Sequence, residues 1–348
     1  MKRQHRILGA LLASAALLLT ACGTAAPSAP TAPAERRKII IDTDTGADDA
    51  SALILAAKSD QVDILGVTVL VGNVGLEQSA KNALMALEMA GSDAPVYLGA
   101  SENSSGEAID AFSVFGTDGM GDADLIHPTG TAAEEDAIDF ILDTVAADPG
   151  EVELVALGPA TNIAKAIERD PETMQKVKTI WSMGTAGLGP GNASPVAEFN
   201  VYGDPGAYAV MLDSGIDITV VGLDMCGGEA QWTDAQIERL EKAGDIGHFV
   251  AASFGKIREF YAVNGSAGSV MNCDALAMMC VLDPTFVRET IRCHGSCITE
   301  PGETYAQVLF YQEGFTYDVA ANDGDHNVSL VSEVEKSSYF DRYLAAVK

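Results

Sequence analysis

Short apolar runs alternate with segments of helical periodicity along most of this chain, from Lys38 onward. Apolar runs such as residues 39–41 are typical of buried strands, and apolar residues at a spacing of three and four are typical of helices that pack on a sheet. The alternation predicts an α/β fold with an open, mostly parallel central sheet flanked by helices. No second linker interrupts it, so residues 38–348 are predicted to form a single domain. The predicted strands are residues 39–43, 63–71, 152–157, 179–183 and 216–223, and the predicted helices are residues 47–57, 76–90, 134–147, 163–168, 205–213, 234–243 and 274–282.

The first predicted strand ends in a cluster of acidic residues. The sequence IIIDTDTGADDA at residues 39–50 places Asp42, Asp44, Asp48 and Asp49 around Gly46. Like charges this close repel, so a partner must offset them. Ca²⁺ prefers oxygen ligands and would do so, and it would leave other carboxylates free to hold a hydroxylated substrate. The carboxyl end of a strand is also where open parallel sheets bind their ligands.

Three alternatives compete with a substrate-binding metal site at this loop. A calcium loop of the EF-hand kind would need a closing Glu where the chain has Leu53. An aspartyl-nucleophile phosphatase would use two aspartates that flank one residue, which leaves Asp48 and Asp49 unexplained. Acidic residues also cap helix starts, which would account for one of these two aspartates but not for all four.

The N-terminus indicates export and lipid anchoring. Basic residues precede an apolar stretch at residues 7–19, which is too short to span a membrane, so residues 1–21 are predicted to be a signal peptide. Residues 19–22, Leu-Thr-Ala-Cys, resemble a bacterial lipobox in which Cys22 becomes lipidated. Residues 22–37 then form a flexible tether. The expected location is the outer face of the bacterial cytoplasmic membrane, or another envelope membrane.

The charge balance excludes polyanionic partners. The chain carries 21 Lys and Arg against 50 Asp and Glu, a formal net charge of −29. Loss of the signal removes three of the basic residues, and a surface this acidic repels nucleic acid. Five cysteines follow Cys22, and for the nearest pair, Cys293 and Cys297, a small disulfide loop or plain buried thiols are expected.

Several sequence blocks together resemble the inosine-uridine-preferring nucleoside hydrolases, over nearly the whole of residues 38–344. The blocks are DTDTGADD at 42–49, VGN at 71–73, LGPATN at 157–162, MG at 183–184, GNASPVAEFN at 191–200, DP at 204–205 and CD at 273–274. Their order and spacing make coincidence improbable. The resemblance implies an open α/β fold with Ca²⁺ bound at the bottom of a pocket.

The resemblance also implies roles for individual residues. The metal ligands would be Asp44, Asp49 and Asp274, with a main-chain carbonyl from Leu157. Residues matched to the ribose site are Asp48, Asn73, Met183, Asn192, Glu198 and Asn200. A neutral polyol such as ribose is well held by carboxylates and amides in a fixed array.

The implied reaction is hydrolysis of the N-glycosidic bond of a ribonucleoside, which releases ribose and a nucleobase. A metal-activated water would attack the sugar, with Asp44 as general base. The chain departs from many family members on the leaving-group side, where Cys273 and Phe115 occupy positions matched to histidines. A thiol can still donate a proton, and Phe115 can stack on a base. Tyr261, in a helix expected from Asp245, could reach the base, although packing is the more common role.

The principal alternative function is a non-catalytic lipoprotein that binds a nucleoside or ribosyl compound through the same calcium and ribose site. Retention of Asp44 favours an enzyme, because a receptor needs no base to activate water. Either protein would take a small-molecule partner, reach the membrane through lipidated Cys22 and bind no nucleic acid. Members of the family also form homo-oligomers, which makes self-association possible.

Overall fold

The structure, a computed structural model, describes residues 36–316 and 324–348. The predicted signal peptide, Cys22 and the tether up to residue 35 lie outside the described residues. Arg36–Lys348 forms one compact unit. Arg37, which the sequence analysis placed at the end of the tether, begins the first strand, where its amide donates to the carbonyl of Gln61.

The predicted mostly parallel sheet is confirmed, and in the described part of the chain it has nine strands in the order β10-β9-β11-β6-β5-β4-β1-β2-β3. All pairs from β11 to β3 are parallel, whereas β9 pairs antiparallel with both β10 and β11. The strands of this sheet are β1 (Arg37–Thr43), β2 (Val62–Val69), β3 (Val96–Leu98), β4 (Val152–Ala156), β5 (Thr179–Met183), β6 (Ile218–Val221), β9 (Val287–Cys297), β10 (Val308–Gln312) and β11 (Val328–Val334). A separate small sheet pairs β7 (Trp232–Thr233) with β8 (Ser269–Val270).

The sheet is buried between two layers of helices because its central strands are apolar on both faces. Ile39 and Ile41 of β1 pack in one hydrophobic core and Ile40, between them, packs in the other. Neighbouring strand residues point to opposite faces, so this run of three isoleucines is explained by a strand buried on both sides.

The first core is covered by α1 (Ala47–Ala57), α2 (Leu76–Ala90), α9 (Asp234–Glu241), α10 (Asp245–Ser253), α11 (Gly255–Val263), α12 (Cys273–Leu282) and α13 (Tyr339–Val347). The second is covered by α4 (Ala137–Ala147), α5 (Thr161–Arg169), α6 (Pro171–Met174), α7 (Phe199–Gly203) and α8 (Pro205–Leu212). A single helical turn, α3 (Phe112–Phe115), lies beside α11. Among the described residues, no helix has the length and apolar character needed to cross a membrane.

Two local expectations differ from the structure. The helix expected from Asp245 to Tyr261 is divided at Phe254 into α10 and α11. The disulfide alternative for Cys293 and Cys297 is wrong, since both thiols are free. They lie four residues apart on one extended strand, which separates their Cα atoms by about 13 Å, and a disulfide needs less than about 7 Å.

Candidate active site

The site is built at the carboxyl ends of the central strands, where the sequence placed it. Asp42, near the end of β1, is in register with Thr68 on β2 and Ala156 on β4. Its Oδ1 accepts a hydrogen bond from Thr68 Oγ1 at 2.5 Å and another from Asn162 Nδ2 at 2.8 Å. Asp42 thus ties the ends of neighbouring strands together beneath the site.

Asp44 lies in the loop after β1 and is enclosed by the loops that follow β2 and β4. The amide of Asn73 donates to its Oδ2 at 2.6 Å. A Cβ added to Gly72 or to Gly158 would overlap the Asp44 carboxylate. Both positions therefore need glycine for a close approach. The other oxygen of Asp44, Oδ1, is buried and has no hydrogen-bond partner.

Asp48 and Asp49 occupy the first turn of α1, where the helix dipole favours negative charge. Both oxygens of Asp49 are held. Oδ1 accepts from Thr43 Oγ1 at 2.6 Å, and Oδ2 accepts from the amide of Gly46 at 2.9 Å and from Asn73 Nδ2 at 3.0 Å. Asp48 differs, because its Oδ1 is buried without a hydrogen-bond partner.

Asp274 comes from the other end of the chain, in the first turn of α12, which packs against α1. One oxygen from each of Asp48, Asp49 and Asp274 lies within 4.8 Å of the others. The sequence predicts that Asp44 binds the metal and that Asp48 binds ribose. The structure groups Asp48, rather than Asp44, most tightly with Asp49 and Asp274. Asp44 is close enough that its charge acts on Asp274.

Burial and mutual repulsion raise the pKa values of these carboxyl groups. Burial, followed by the charge of Asp49, raises the pKa of Asp44 well above its ordinary value and does the same to the pKa of Asp274. The same two causes raise the pKa of Asp48 to about 7. Burial raises the pKa of Asp49 as well, against hydrogen bonds from Thr43 and Gly46 that lower it.

This cluster could hold a metal ion. Its donors are all oxygens, which suits a hard divalent cation. The unpartnered oxygens of Asp44 and Asp48 are unusual for buried polar atoms, and a cation would supply the partner that both lack. It would also offset the repulsion that contributes to the raised pKa values of Asp44, Asp48 and Asp274.

Above the cluster opens a cavity of about 930 Å³. Leu157, Cys273 and Asp274 line it. So does every residue that the sequence matched to the substrate site, namely Asp48, Asn73, Phe115, Met183, Asn192, Glu198 and Asn200. Asp44 and Asp49 are completely buried and lie behind this surface. The structure therefore brings residues from the whole length of the domain to one cavity.

Polar side chains of the cavity wall are held by hydrogen bonds within the protein. The side-chain Nδ2 of Asn200 donates to the Leu157 carbonyl at 2.6 Å and to the Met183 carbonyl at 3.2 Å. Asn192 Oδ1 accepts from the amide of Phe199 at 2.9 Å. The Glu198 carboxylate caps α7, where it accepts hydrogen bonds from the backbone amides of Asn200 and Val201. Such contacts fix the directions of these side chains before any ligand arrives.

The outer part of the cavity is mainly apolar, and most of it was not predicted from the sequence. Phe260 and Tyr261 of α11 and Val114 of α3 line it with Phe115. The sequence indicated that Tyr261 could reach the base, and Tyr261 does line this part of the cavity. The others resemble ordinary core residues in sequence, because their exposure to a cavity depends on how α3 and α11 meet.

Cys273 begins α12 and lies at the edge between the acidic cluster and the apolar part. Contact with the thiol of Cys226, burial and the neighbouring carboxylates raise its pKa well above the ordinary value. Cys273 is therefore a neutral thiol that can donate a hydrogen bond. Cys226 gave no signal in the sequence, since a single cysteine after a strand is usually a packing residue.

Solved structures with the same α/β architecture are nucleoside hydrolases. A plant nucleoside hydrolase superposes with a TM-score of 0.84 at 30% identity, covering 90% of this chain and 99% of that one. A purine-preferring ribonucleoside hydrolase from Gardnerella vaginalis superposes with a TM-score of 0.81 at 27% identity, over 89% of this chain and 98% of that one.

Sequence comparison identifies the family. The pattern described as "Inosine-uridine preferring nucleoside hydrolase" matches residues 39–341, and the chain belongs to this family. A protein of Oryza sativa subsp. japonica named probable uridine nucleosidase 1 is 35% identical over 279 residues, which are 77% of this chain and 86% of that protein. A pyrimidine-specific ribonucleoside hydrolase of Escherichia coli is 37% identical over 211 residues, 60% of this chain and 66% of that protein.

Glu198 should make stability depend on pH, because burial raises its pKa from 4.5 to about 7 in the folded chain. Between these values the folded state binds more protons than the unfolded state, so folding stability falls as pH rises. The Glu198→Gln variant cannot titrate at this position and does not lose this stability. Its free energy of unfolding, relative to that of wild type, should rise by about 3 kcal/mol between pH 4.5 and 7 and no further above pH 7. Urea unfolding in EDTA at pH 5, 7 and 8 measures this, and an equal difference at all three would contradict it.

Proposed function

We propose that this protein hydrolyses the N-glycosidic bond of ribonucleosides, releasing ribose and a nucleobase, with Ca²⁺ as its cofactor. The observation that carries the proposal is the cluster of buried carboxylates at the floor of a cavity whose wall changes from polar to apolar. The polar part suits a sugar and the apolar part suits a planar base. Named relatives act on uridine, pyrimidine and purine nucleosides, which supports the same substrate class here.

The residues that would hold calcium are Asp44, Asp49 and Asp274, with the main-chain carbonyl of Leu157. The structure adds Asp48 to the oxygens within reach. A bound Ca²⁺ supplies positive charge that lowers the pKa of a neighbouring water and so makes it easier to deprotonate. The Leu157 carbonyl already accepts one hydrogen bond, from Asn200, and keeps a second lone pair for a cation.

Asp44 is the proposed general base. Its Oδ2 is held by the amide of Asn73. Its Oδ1 has no hydrogen-bond partner within the protein, so besides the lone pair offered to the cation it has a second one that can take the proton of the attacking water. The hydrogen bond on Oδ2 fixes the carboxylate plane, so the accepting oxygen keeps one direction. The amides and carboxylates of the cavity wall would orient the ribose hydroxyls. The nearby carboxylates would also stabilise positive charge that develops on the sugar ring.

The leaving base would lie in the apolar part, against Phe115 and Tyr261. Cys273 borders this part and is a neutral thiol, so it is the proposed donor of a proton or hydrogen bond to the departing base. Among the cavity-lining residues that the structure describes there is no histidine. The proposed acid is accordingly a weaker one than imidazolium, which favours substrates whose bases leave readily.

A non-catalytic binding protein is the less favoured function. Its support is the same cavity, which could bind a ribosyl compound without turnover. The hydrolase names of the relatives favour catalysis. Ribose binding without base release, across a panel of common nucleosides, would favour the binding protein instead.

The central test is nucleobase release by the full-length chain. We expect release from at least one ribonucleoside, its abolition by EDTA and its recovery on adding Ca²⁺. Asp44→Asn should lower kcat by about 10²-fold or more, because it removes the proton acceptor. Glu153→Gln is the matched control, since it alters a buried carboxylate that pairs with Arg37 and Lys178 away from the cavity. Full activity of Asp44→Asn would show that another group is the base.

The role of Cys273 can be separated from its packing. Cys273→Ala should lower kcat on nucleosides by at least about tenfold and leave hydrolysis of 4-nitrophenyl riboside nearly unchanged, since 4-nitrophenolate leaves without a proton. Cys280→Ala, in the same helix and completely buried, is the matched control and should affect neither substrate. Equal losses on both substrates would refute the acid role of Cys273.

The proposal includes export as a lipoprotein anchored through Cys22. Expression in a bacterium that processes lipoproteins should give a membrane-associated product that incorporates labelled palmitate. Cys22→Ala should abolish the label and shift the protein out of the membrane fraction, because a stable anchor needs the acyl chains. A Cys22→Ala product that still fractionates with membranes would contradict this anchor.

A further inference from the structure

Two carboxylates of the proposed calcium site come from different helices, and a buried hydrogen-bonded link joins these helices within two residues of each carboxylate. Asp49 lies in α1 and Asp274 in α12. Ser51 follows Asp49 by two residues, and Asn272 precedes Asp274 by two residues. Asn272 Nδ2 donates to Ser51 Oγ at 2.9 Å. The link therefore joins the same two helices that carry the two carboxylates.

The C-terminal helix supports both ends of this link. Ser51 Oγ donates to the Tyr343 hydroxyl at 2.9 Å, and the Tyr339 hydroxyl donates to the Asn272 carbonyl at 2.9 Å. These four residues, called the α1–α12 bridge below, are each at most 1% exposed. Hydrogen bonds between groups so completely removed from water are costly to break, because a lost partner leaves a buried polar atom unsatisfied.

The two tyrosines are themselves fixed by aromatic packing. The ring of Trp232 lies 4.7 Å from the ring of Tyr343 and 5.7 Å from that of Tyr339, centroid to centroid. Tyr339 and Tyr343 are also one helical turn apart in α13, which places them on the same face. The bridge is thus attached to a rigid part of the core rather than to a loop.

We propose that the α1–α12 bridge is a positioning device that sets the distance between Asp49 and Asp274 before the cation binds. The proposal rests on the calcium site proposed above. Cation binding requires both carboxyl groups to be ionised, and their repulsion then tends to separate α1 from α12. The Ser51–Asn272 hydrogen bond opposes that separation. A site held at its binding distance loses less free energy to rearrangement when the metal arrives.

The location of Asn272 supports this role over simple packing. Its backbone is not helical, with φ −131° and ψ 81°, so Asn272 is the junction at which the chain enters α12. Its backbone carbonyl and its side-chain Nδ2 are both held by the bridge. Fixing both groups of this one residue fixes the direction in which the first turn of α12, with Cys273 and Asp274, enters the site.

The test is calcium affinity measured by calorimetry on the full-length chain after removal of metal with EDTA. Ser51→Ala removes the centre of the bridge, and Tyr343→Phe removes a single hydroxyl while keeping the ring in the core. We expect each to weaken Ca²⁺ binding by about 10-fold, the lower end of what loss of a direct outer-sphere partner causes, because the bridge acts on the ligands through their helices. At saturating Ca²⁺ the kcat of both variants should return to near the wild-type value.

Asn327→Ala is the matched control. Asn327 is also a buried asparagine, and its amide donates to the carbonyls of Leu212 and Ile216 at 3.1 and 2.9 Å, in the core on the other face of the sheet. Its loss should lower the melting temperature of the metal-free protein without changing calcium affinity. A purely structural role for the bridge would make Ser51→Ala and Tyr343→Phe behave in the same way as this control.

The outcomes separate the two proposals. If wild type binds Ca²⁺ and both bridge variants bind it equally well, the positioning role is wrong and the proposed function stands. If wild type binds no Ca²⁺ and hydrolyses nucleosides in EDTA, the calcium part of the proposed function fails, and the positioning role fails with it. Weaker binding in the two bridge variants together with unchanged binding in Asn327→Ala supports the positioning role.

Discussion

The mutual repulsion of Asp44, Asp48, Asp49 and Asp274 is the constraint on which the rest of the site depends. Charges this close and this buried are unfavourable unless fixed donors and a counter-charge surround them. The fold supplies hydrogen-bond donors to these carboxylates: the backbone amide of Asn73, the hydroxyl of Thr43 and the N-terminus of α1. The unpartnered oxygens of Asp44 and Asp48 could hold the proposed cation, and the cavity above them is the proposed substrate site.

The floor and the outer wall of the cavity have different structural origins. The floor is set by strand ends and by the helix pair α1 and α12, all parts of the buried core. The outer wall includes α3 and α11, two short helices that pack on each other away from the sheet. Relatives are named for different nucleosides, and a division of this kind would let the outer wall vary while the floor stays constant.

The central part of the fold was predictable because its signals are local. A run of isoleucines and a glycine-bounded helical pattern predicted β1 and α1, and α1 and α2 have the predicted bounds. The C-terminal strands β9, β10 and β11 were missed. Only two of the eleven residues of β9 are buried and several carry charged side chains, so its alternation of buried and exposed positions is weak. Its place beside β11 depends on pairing with a distant strand, which no local pattern records.

The sequence by itself determined which chemistry is present: four carboxylates on two short segments, amides and carboxylates for a polyol, and a thiol in front of Asp274. These residue types and their spacing survive without knowledge of the fold, because they follow from what each side chain can donate, accept or bind. Only the tertiary structure decided that Asp48 shares the tight acidic group, that Cys226 touches Cys273, and that Ser51 and Asn272 meet between α1 and α12. The packing of helices far apart in the chain creates these contacts, and the distances that result exist only once the core has formed.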